Sequence, residues 1–190
     1  MYGVIFHFLR EYVMERHGGE DTWDALLKAQ GYKFKLYFPV QDYPDEEIVA
    51  LVETASKALN TPVPVVLEDF GSFVGPKLLS FYHMYVKDKD MKTFEVIMTA
   101  GGSIHDVVHK HNPTRKPPRL SATQESDNVL VVHYQSKRMM CPVVRGIIRG
   151  LGEKFGERFD IDETQCMYDG AEKCIMRVTR LPAYGTAGVG

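Results

Sequence analysis

What the sequence lacks narrows it first. None of the apolar runs in its 190 residues approaches the ~20 residues a helix needs to cross a bilayer. The opening stretch, MYGVIFHFLREYVMERHGG, is interrupted by His7, Arg10 and Glu11, too early for a secretory signal core, so a cytoplasmic location is expected. Excess charge of either sign is missing too. The 23 Lys and Arg stand against 25 Asp and Glu, a net charge of −2, and no global positive field gathers phosphates. That excludes a dedicated nucleic-acid binder. The local basic cluster of Lys110, His111, Arg115, Lys116 and Arg119 reads as a solvated loop. Cysteine is scarce: Cys141, Cys166 and Cys174 are an odd number, and in a reducing compartment they serve as thiols or metal ligands rather than a disulfide framework. Internal repeats are absent.

What is there is the composition of an ordinary globular domain, with 44% hydrophobic and 11% aromatic residues and enough length for one real core. The first two-thirds punctuate as helices. Val4, Ile5, Phe8, Leu9, Tyr12 and Val13 recur at helical spacing up to Gly18-Gly19. Asp21 or Thr22 caps a second helix ending at Gly31, and a third, with acids in its first turn, stops at Asn60. Residues 63–86 hold one or two helices interrupted around Gly75-Pro76, and 90–100 another that Gly101-Gly102 breaks. Ser103 then caps a short helix over 104–111, cut by Asn112-Pro113. After a proline-rich strap, NVLVVHYQSKR alternates like a strand, a helix follows from about Pro142 to Phe155, and two strands turn at Asp169-Gly170. The expected fold class is α+β: an N-terminal helical part, then a mostly antiparallel sheet with an embedded helix.

The segment GGSIHDVVHKHNPTRKPPRL places His105, His109 and His111 within seven residues. His105 and His109 share a helix face, as in zinc peptidases, but Asp106 replaces the glutamate base and no downstream acid completes the site. In HYQSKR, strand period sets Tyr134, Ser136 and Arg138 on one face, a donor set for carboxylates or phosphates.

The opening MYG, the segment SIHDVVHK, Pro118, YQSKR and the closing FDIDETQCMYDGAEKCIMRV together resemble the haem nitric-oxide/oxygen-binding (H-NOX) domain, of the bacterial NO-sensing type related to the sensor of soluble guanylate cyclases. The resemblance covers residues 1–180 as a single domain with haem b between its parts. About 1–62 form an N-terminal helical subdomain, 63–180 form the haem-holding helical and sheet subdomain, and 181–190 form a flexible tail. The resemblance assigns the proximal iron ligand to His105, a propionate clamp to Tyr134, Ser136 and Arg138, and a haem-distorting contact to Pro118. His109 and His111 default to surface residues. It places Ile5, Leu9, Val74, Leu78, Val143 and Ile147 around the distal pocket. Oxygen-binding members carry a tyrosine where this chain has Val143, so the resemblance implies binding of NO and CO with exclusion of O2.

Some bacterial H-NOX proteins also resemble this chain in a zinc site at all three cysteines, with a histidine where Glu163 stands here. Zinc, free buried thiols and a redox-active set all remain open for Cys141, Cys166, Cys174 and Glu163. The implied function is a non-enzymatic gas sensor: NO weakens the iron–His105 bond, the haem relaxes away from Pro118, and a separate protein reads the change. A sensor histidine kinase or a cyclic-di-GMP enzyme is the implied partner, with no nucleic acid and no membrane span. The competing reading is a thiol- or zinc-linked redox sensor in which haem is secondary. An enzymatic reading lacks a distal acid or base.

Overall fold

The computed structural model describes residues 1–83, 91–104 and 118–182. The first apolar stripe winds into α1 (Gly3–Arg16) and buries Val4, Phe8, Leu9, Tyr12 and Val13. Gly18 (φ +87°) and Gly19 (φ +73°) take the left-handed turn that only glycine accepts without strain. That turn lets α2 (Gly19–Ala29) start earlier than the sequence suggests. Asp21 and Thr22 therefore lie in its first turn instead of capping it, with Glu20 and Asp21 at the positive end of the helix dipole. Next comes α3 (Asp45–Leu59), which opens on three acids and stops at Asn60, itself left-handed (φ 48°).

The break expected at Gly75-Pro76 does not occur. One helix, α4 (Val63–Phe81), runs through Pro76. The reason lies in its partner, α6 (Cys141–Phe155), which crosses it on glycines. A Cβ on Gly146 would stand 2.0 Å from the Glu68 carbonyl, one on Gly150 2.0 Å from the Ser72 carbonyl, and one on Gly71 2.4 Å from the Val143 carbonyl. The Ser72 carbonyl, which the missing N–H of Pro76 leaves without its helical donor, thus abuts the Gly150 backbone, and tertiary packing carries the helix past the proline. Gly146→Ala is expected to destabilise the protein by about 3 kcal/mol, because two backbones rather than a flexible side chain must give way; urea unfolding measures it.

After α4, α5 (Thr93–Thr99) passes directly into a π-helical turn over Ala100–Ile104. Gly101-Gly102 therefore continue the helical path rather than breaking it, and Ser103 lies within the turn. Gly101 admits β1 against this turn, since a Cβ there would come within 3.0 Å of the Leu120 carbonyl. The expected helix over 104–111 lies, beyond Ile104, outside the described residues.

Four antiparallel strands close the fold: β1 (Arg119–Ser126), β2 (Val129–Gln135), β3 (Phe159–Gln165) and β4 (Cys174–Arg180), in spatial order β1-β2-β4-β3. The architecture is α+β, as expected. β1 was not anticipated, because RLSATQES is polar and six of its eight residues are exposed; it pairs along β2 from Arg119↔Gln135 to Ser126↔Val129. Strand β2 buries Leu130, Val132 and Tyr134 as its alternation predicts, but ends at Gln135. Ser136 and Arg138 sit beyond it in a tight turn where Met139 adopts φ 51°.

Two cores result. Helices α1–α4 pack one around Phe6, Trp23, Leu27, Ile48 and Leu51, while α5, α6 and the sheet pack the other around Phe94, Leu130, Ile148 and Met176. Helix α6 faces both, with Val143 and Ile147 toward the first and Val144, Ile148 and Leu151 in the second. Leu181 donates its N–H to the Arg158 carbonyl at 2.8 Å, so hydrogen bonding reaches one residue past β4. Residues 183–190 of the expected tail lie outside the described set. Among the described residues no helix is long and apolar enough to cross a membrane.

Candidate cofactor cavity and cysteine cluster

Between the two cores lies a cavity of about 620 Å³, within the range of roughly 300–1,000 Å³ usual for cofactor pockets. One stretch of its wall is aliphatic. Ile5 and Leu9 from α1, Leu78 from α4, and Val143 and Ile147 from α6 all line it. Helices α1 and α6 each contribute a pair one turn apart, so each turns one apolar face inward. Val74 does not share the wall: it is wholly buried in the helical core.

Another stretch is polar. Tyr134, Arg138 and Pro118 line the cavity. Tyr134 is anchored from both sides of the turn: its hydroxyl accepts the Met140 N–H at 3.1 Å and pairs with Ser136. Burial pushes its pKa up to about 12, against the opposing Ser136 and Met140 hydrogen bonds, so the phenol stays protonated and able to donate. Ser136 is not on the wall; its Oγ accepts the Arg138 N–H at 3.3 Å and shapes the turn that presents the arginine.

Asp45 is the residue the sequence reading missed. Its carboxylate meets Arg138 Nε at 2.8 Å and the Met1 ammonium at 2.5 Å, and all three residues line the cavity. It reads in the sequence as an ordinary first-turn acid of α3; nothing local reveals a partner so distant in the chain. Burial pushes its carboxyl up, but Arg138 and the ammonium outweigh this and hold it below its ordinary 3.8. A depressed carboxyl stabilises the fold above its unfolded pKa, and that contribution disappears as pH falls through the folded value. The urea midpoints of wild type and Asp45→Asn are therefore expected to differ most near pH 7 and to converge below pH 3.8.

Tyr2, Tyr43 and Tyr82 also reach the wall and were not anticipated. The Tyr43 hydroxyl is engaged, accepting the Phe38 N–H at 2.7 Å and donating to Gln41 Oε1 at 3.2 Å. The wall also includes Ala100, the first residue of the π-helical turn, five positions before His105 in sequence. His105, His109 and His111 themselves lie outside the described residues.

At the start of α6 the three cysteines and Glu163 come together. Ligand atoms of Cys141, Glu163, Cys166 and Cys174 all lie within 4.8 Å of one another, and the Cys141 and Cys166 sulfurs are 3.9 Å apart. Tetrahedral zinc with sulfur at about 2.3 Å spaces neighbouring sulfurs by about 3.8 Å. Glu163 Oε2 is paired with Arg145, which also holds Glu68 on α4 at 3.0 Å. Glu163 Oε1 is buried without a hydrogen-bond partner among the described residues. The Met167 N–H points at the Cys174 sulfur from 3.2 Å. Burial raises the pKa of the Cys141 and Cys174 thiols, and the crowding of acidic neighbours adds to it.

Comparison with known proteins identifies the class. A family described as haem-NO-binding matches residues 2–163, and the chain belongs to that family of haem-based gas-sensor domains. Its fold matches an H-NOX protein of Shewanella oneidensis in the Fe(II)NO state, at TM-score 0.87 and 25% identity, over 96% of this chain and 100% of that one. The SO2144 H-NOX domain of the same organism in the Fe(II)CO state gives TM-score 0.83 at 25% identity, over 95% and 99%. Among sequence relatives, soluble guanylate cyclase gcy-32 of Caenorhabditis elegans is 27% identical over 175 residues, and gcy-31 is 24% identical over 155. The matches cover 86% and 81% of this chain but only 24% and 22% of those cyclases.

Proposed function

We propose that the chain is a sensor of nitric oxide and carbon monoxide that excludes O2, with ferrous haem in the central cavity. The cavity suits the group by size and by the chemistry of its wall: an aliphatic face, and a polar margin where a protonated phenol and a charge-compensated guanidinium stand together. The haem supplies an iron that takes one diatomic ligand. His105 would hold that iron, Arg138 and Tyr134 would bind the propionates with Ser136 shaping the turn that presents them, and Pro118 would contact the macrocycle. Arg138 in this role orients more than it stabilises, because burying a guanidinium offsets much of its attraction for a carboxylate.

The observation that carries the choice of gas is the shared aliphatic wall of Ile5, Leu9, Leu78, Val143 and Ile147. Dioxygen as a ligand draws partial negative charge and needs a hydrogen-bond donor beside it; NO and CO need one far less. The Shewanella relatives, solved with NO and with CO on Fe(II), agree with that reading. Output would go to a separate protein, and a gas bound at the haem would shift a two-state equilibrium only by its differential affinity for the two states. A sensor histidine kinase or a cyclic-di-GMP enzyme is the partner class we favour. Zinc at Cys141, Glu163, Cys166 and Cys174 is a separate structural element, supported by the spacing of the sulfurs and the unpartnered carboxylate oxygen.

The test is the absorbance spectrum of the reduced protein in air, under CO and under NO. The expected result is a Soret band that moves under CO and NO and stays put in air. A colourless iron-replete protein overturns the haem assignment; a stable ferrous oxy complex in air, reversed by removing O2 without added reductant, overturns the selectivity.

A further inference from the structure

The segment joining α2 to α3 carries Tyr32, Tyr37 and Tyr43, and all three rings gather around one lysine. The Lys35 ammonium lies 4.2 Å from the ring centre of Tyr32, 5.2 Å from that of Tyr37 and 5.9 Å from that of Tyr43. Each falls within the ~6 Å over which a ring face attracts a cation. Glu47 closes the box: its carboxylate meets Lys35 Nζ at 2.5 Å and accepts the Tyr37 hydroxyl at 3.0 Å. Only 21% of the Lys35 side chain and 16% of that of Glu47 are exposed. Burial pushes the ammonium down, but Glu47 and Tyr32 outweigh this and hold it above its ordinary 10.5, so the charge persists. The box is also fastened to α1. Tyr37 stacks on Phe6 with ring centres 4.3 Å apart, and Tyr43 meets both edge-on, 5.4 Å from Phe6 and 4.8 Å from Tyr37.

What the box holds borders the cavity. Tyr43 lines the wall, and Glu47 shares the first turn of α3 with Asp45. Residues two apart on a helix point about 200° apart. Glu47 thus faces the box while Asp45 faces the other way, onto Arg138 Nε at 2.8 Å. One helical turn is gripped from both sides. We propose that Lys35 is a positioning residue for the polar margin of the cavity: through Glu47 and Tyr43 it clamps the first turn of α3 from behind and keeps Asp45 on Arg138. Its bearing on the cofactor rests on the proposal that haem propionates meet that margin. Lys35 is itself absent from the cavity wall, so it acts only through its neighbours. Without its charge, the half-buried Glu47 carboxylate keeps the Tyr37 hydroxyl but no cation to balance it. The turn then shifts toward water, and Asp45 moves with it because both sit on the same turn.

Hydrogen exchange read by mass spectrometry on the protein as purified tests this at a distance. The remote reporter is the turn Ser136–Met140, where the Arg138 N–H is bonded to Ser136 and the Met140 N–H to Tyr134. Lys35→Met keeps the stem and removes the charge. It should speed exchange in that turn by about fivefold, the scale of one enclosed cation. Lys35→Arg, which can stack on the rings and pair with Glu47, should restore the wild-type rate. On an Asp45→Ala background Lys35→Met should add nothing there, because the link is already cut. Haem release to a haem-free acceptor should quicken by a similar factor in Lys35→Met, and no further when Asp45→Ala is present. Should Lys35→Met not fold, Tyr32→Leu, which removes the nearest ring, carries the same test. Wild-type exchange at Ser136–Met140 overturns the proposal, as does an equal rise with and without Asp45 or a failure of Lys35→Arg to restore the rate. A haem release rate that Lys35→Met leaves unchanged overturns it too. A protein that takes up no haem sinks the haem reading instead, and the exchange at that turn still decides the role of Lys35.

Discussion

Val143→Tyr is expected to raise the O2 affinity of the reduced protein by roughly thirtyfold, the equivalent of about 2 kcal/mol for one hydrogen bond to a partly charged ligand in a site of low dielectric. Val143 is in the first turn of α6, on the cavity wall with Ile147 one turn on. Its backbone is fixed by the contact between its carbonyl and Gly71. A tyrosine there starts from a rigid position and extends a hydroxyl into an otherwise aliphatic stretch. Affinity for CO, which depends little on a donor, should change by no more than a few-fold. Val143→Phe is the control for filling the cavity: it should not raise O2 affinity, because it adds the ring without the hydroxyl. Tyr82→Phe asks whether a tyrosine already on the wall serves the ligand, and it should leave gas binding unchanged. Oxygen titration followed at the Soret band decides the matter; equal gains from Tyr and Phe, or an oxygen-binding wild type, would sink the distal reading.

What the sequence made legible, and what it hid, follows from how far each signal reaches. Helical spacing in α1, acids opening α3 and alternation in β2 are local, and they placed those elements and the α+β class. Pro76 misled because the packing that carries α4 past it comes from Gly146 and Gly150 on another helix. β1 was invisible because an edge strand with a solvated face needs no apolar alternation; the Asp127-Asn128 turn before β2 was its available sign. The cavity wall divides the same way. Tyr134, Arg138, Pro118 and the aliphatic pairs came from pattern and family resemblance, and the structure brings them to one cavity, apart from Val74 in the core and Ser136 in the turn behind. Asp45 escaped because an ion pair across the fold leaves no local trace.

The two candidate sites share α6. Cys141 begins it, Val143 faces the cavity, and Arg145 ties Glu163 of the cysteine cluster to Glu68 of α4. Displacing the cysteine end of α6 therefore displaces Val143, and glycine contacts with α4 leave the helix little room to absorb the shift.

Removing one thiol should show how much of that end a metal holds. Cys174→Ser is expected to lower zinc from about one per chain to near zero and to destabilise the protein by about 3–5 kcal/mol, a loss of roughly 10 °C in melting temperature at this size. The magnitude follows from what the cluster becomes without a cation. Cys141 and Cys174 are fully buried, their thiols driven toward the neutral form, and Glu163 keeps one buried oxygen without a partner among the described residues. A zinc ion would bind the carboxylate and the deprotonated thiols together, while Arg145 offsets part of the remaining negative charge. Cys174 is a sharp probe because its sulfur also takes the Met167 N–H, which orients it toward the cluster. Chelation of the wild type should reproduce the stability loss, and readdition of zinc should reverse it in wild type but not in Cys174→Ser. The visible spectrum should survive in the variant, since none of the four cluster residues lines the cavity. If metal analysis of the wild type finds no zinc and chelator leaves its melting temperature unmoved, the cysteines are metal-free thiols. The 3.9 Å between the Cys141 and Cys166 sulfurs would then make oxidation to a disulfide the chemistry to pursue.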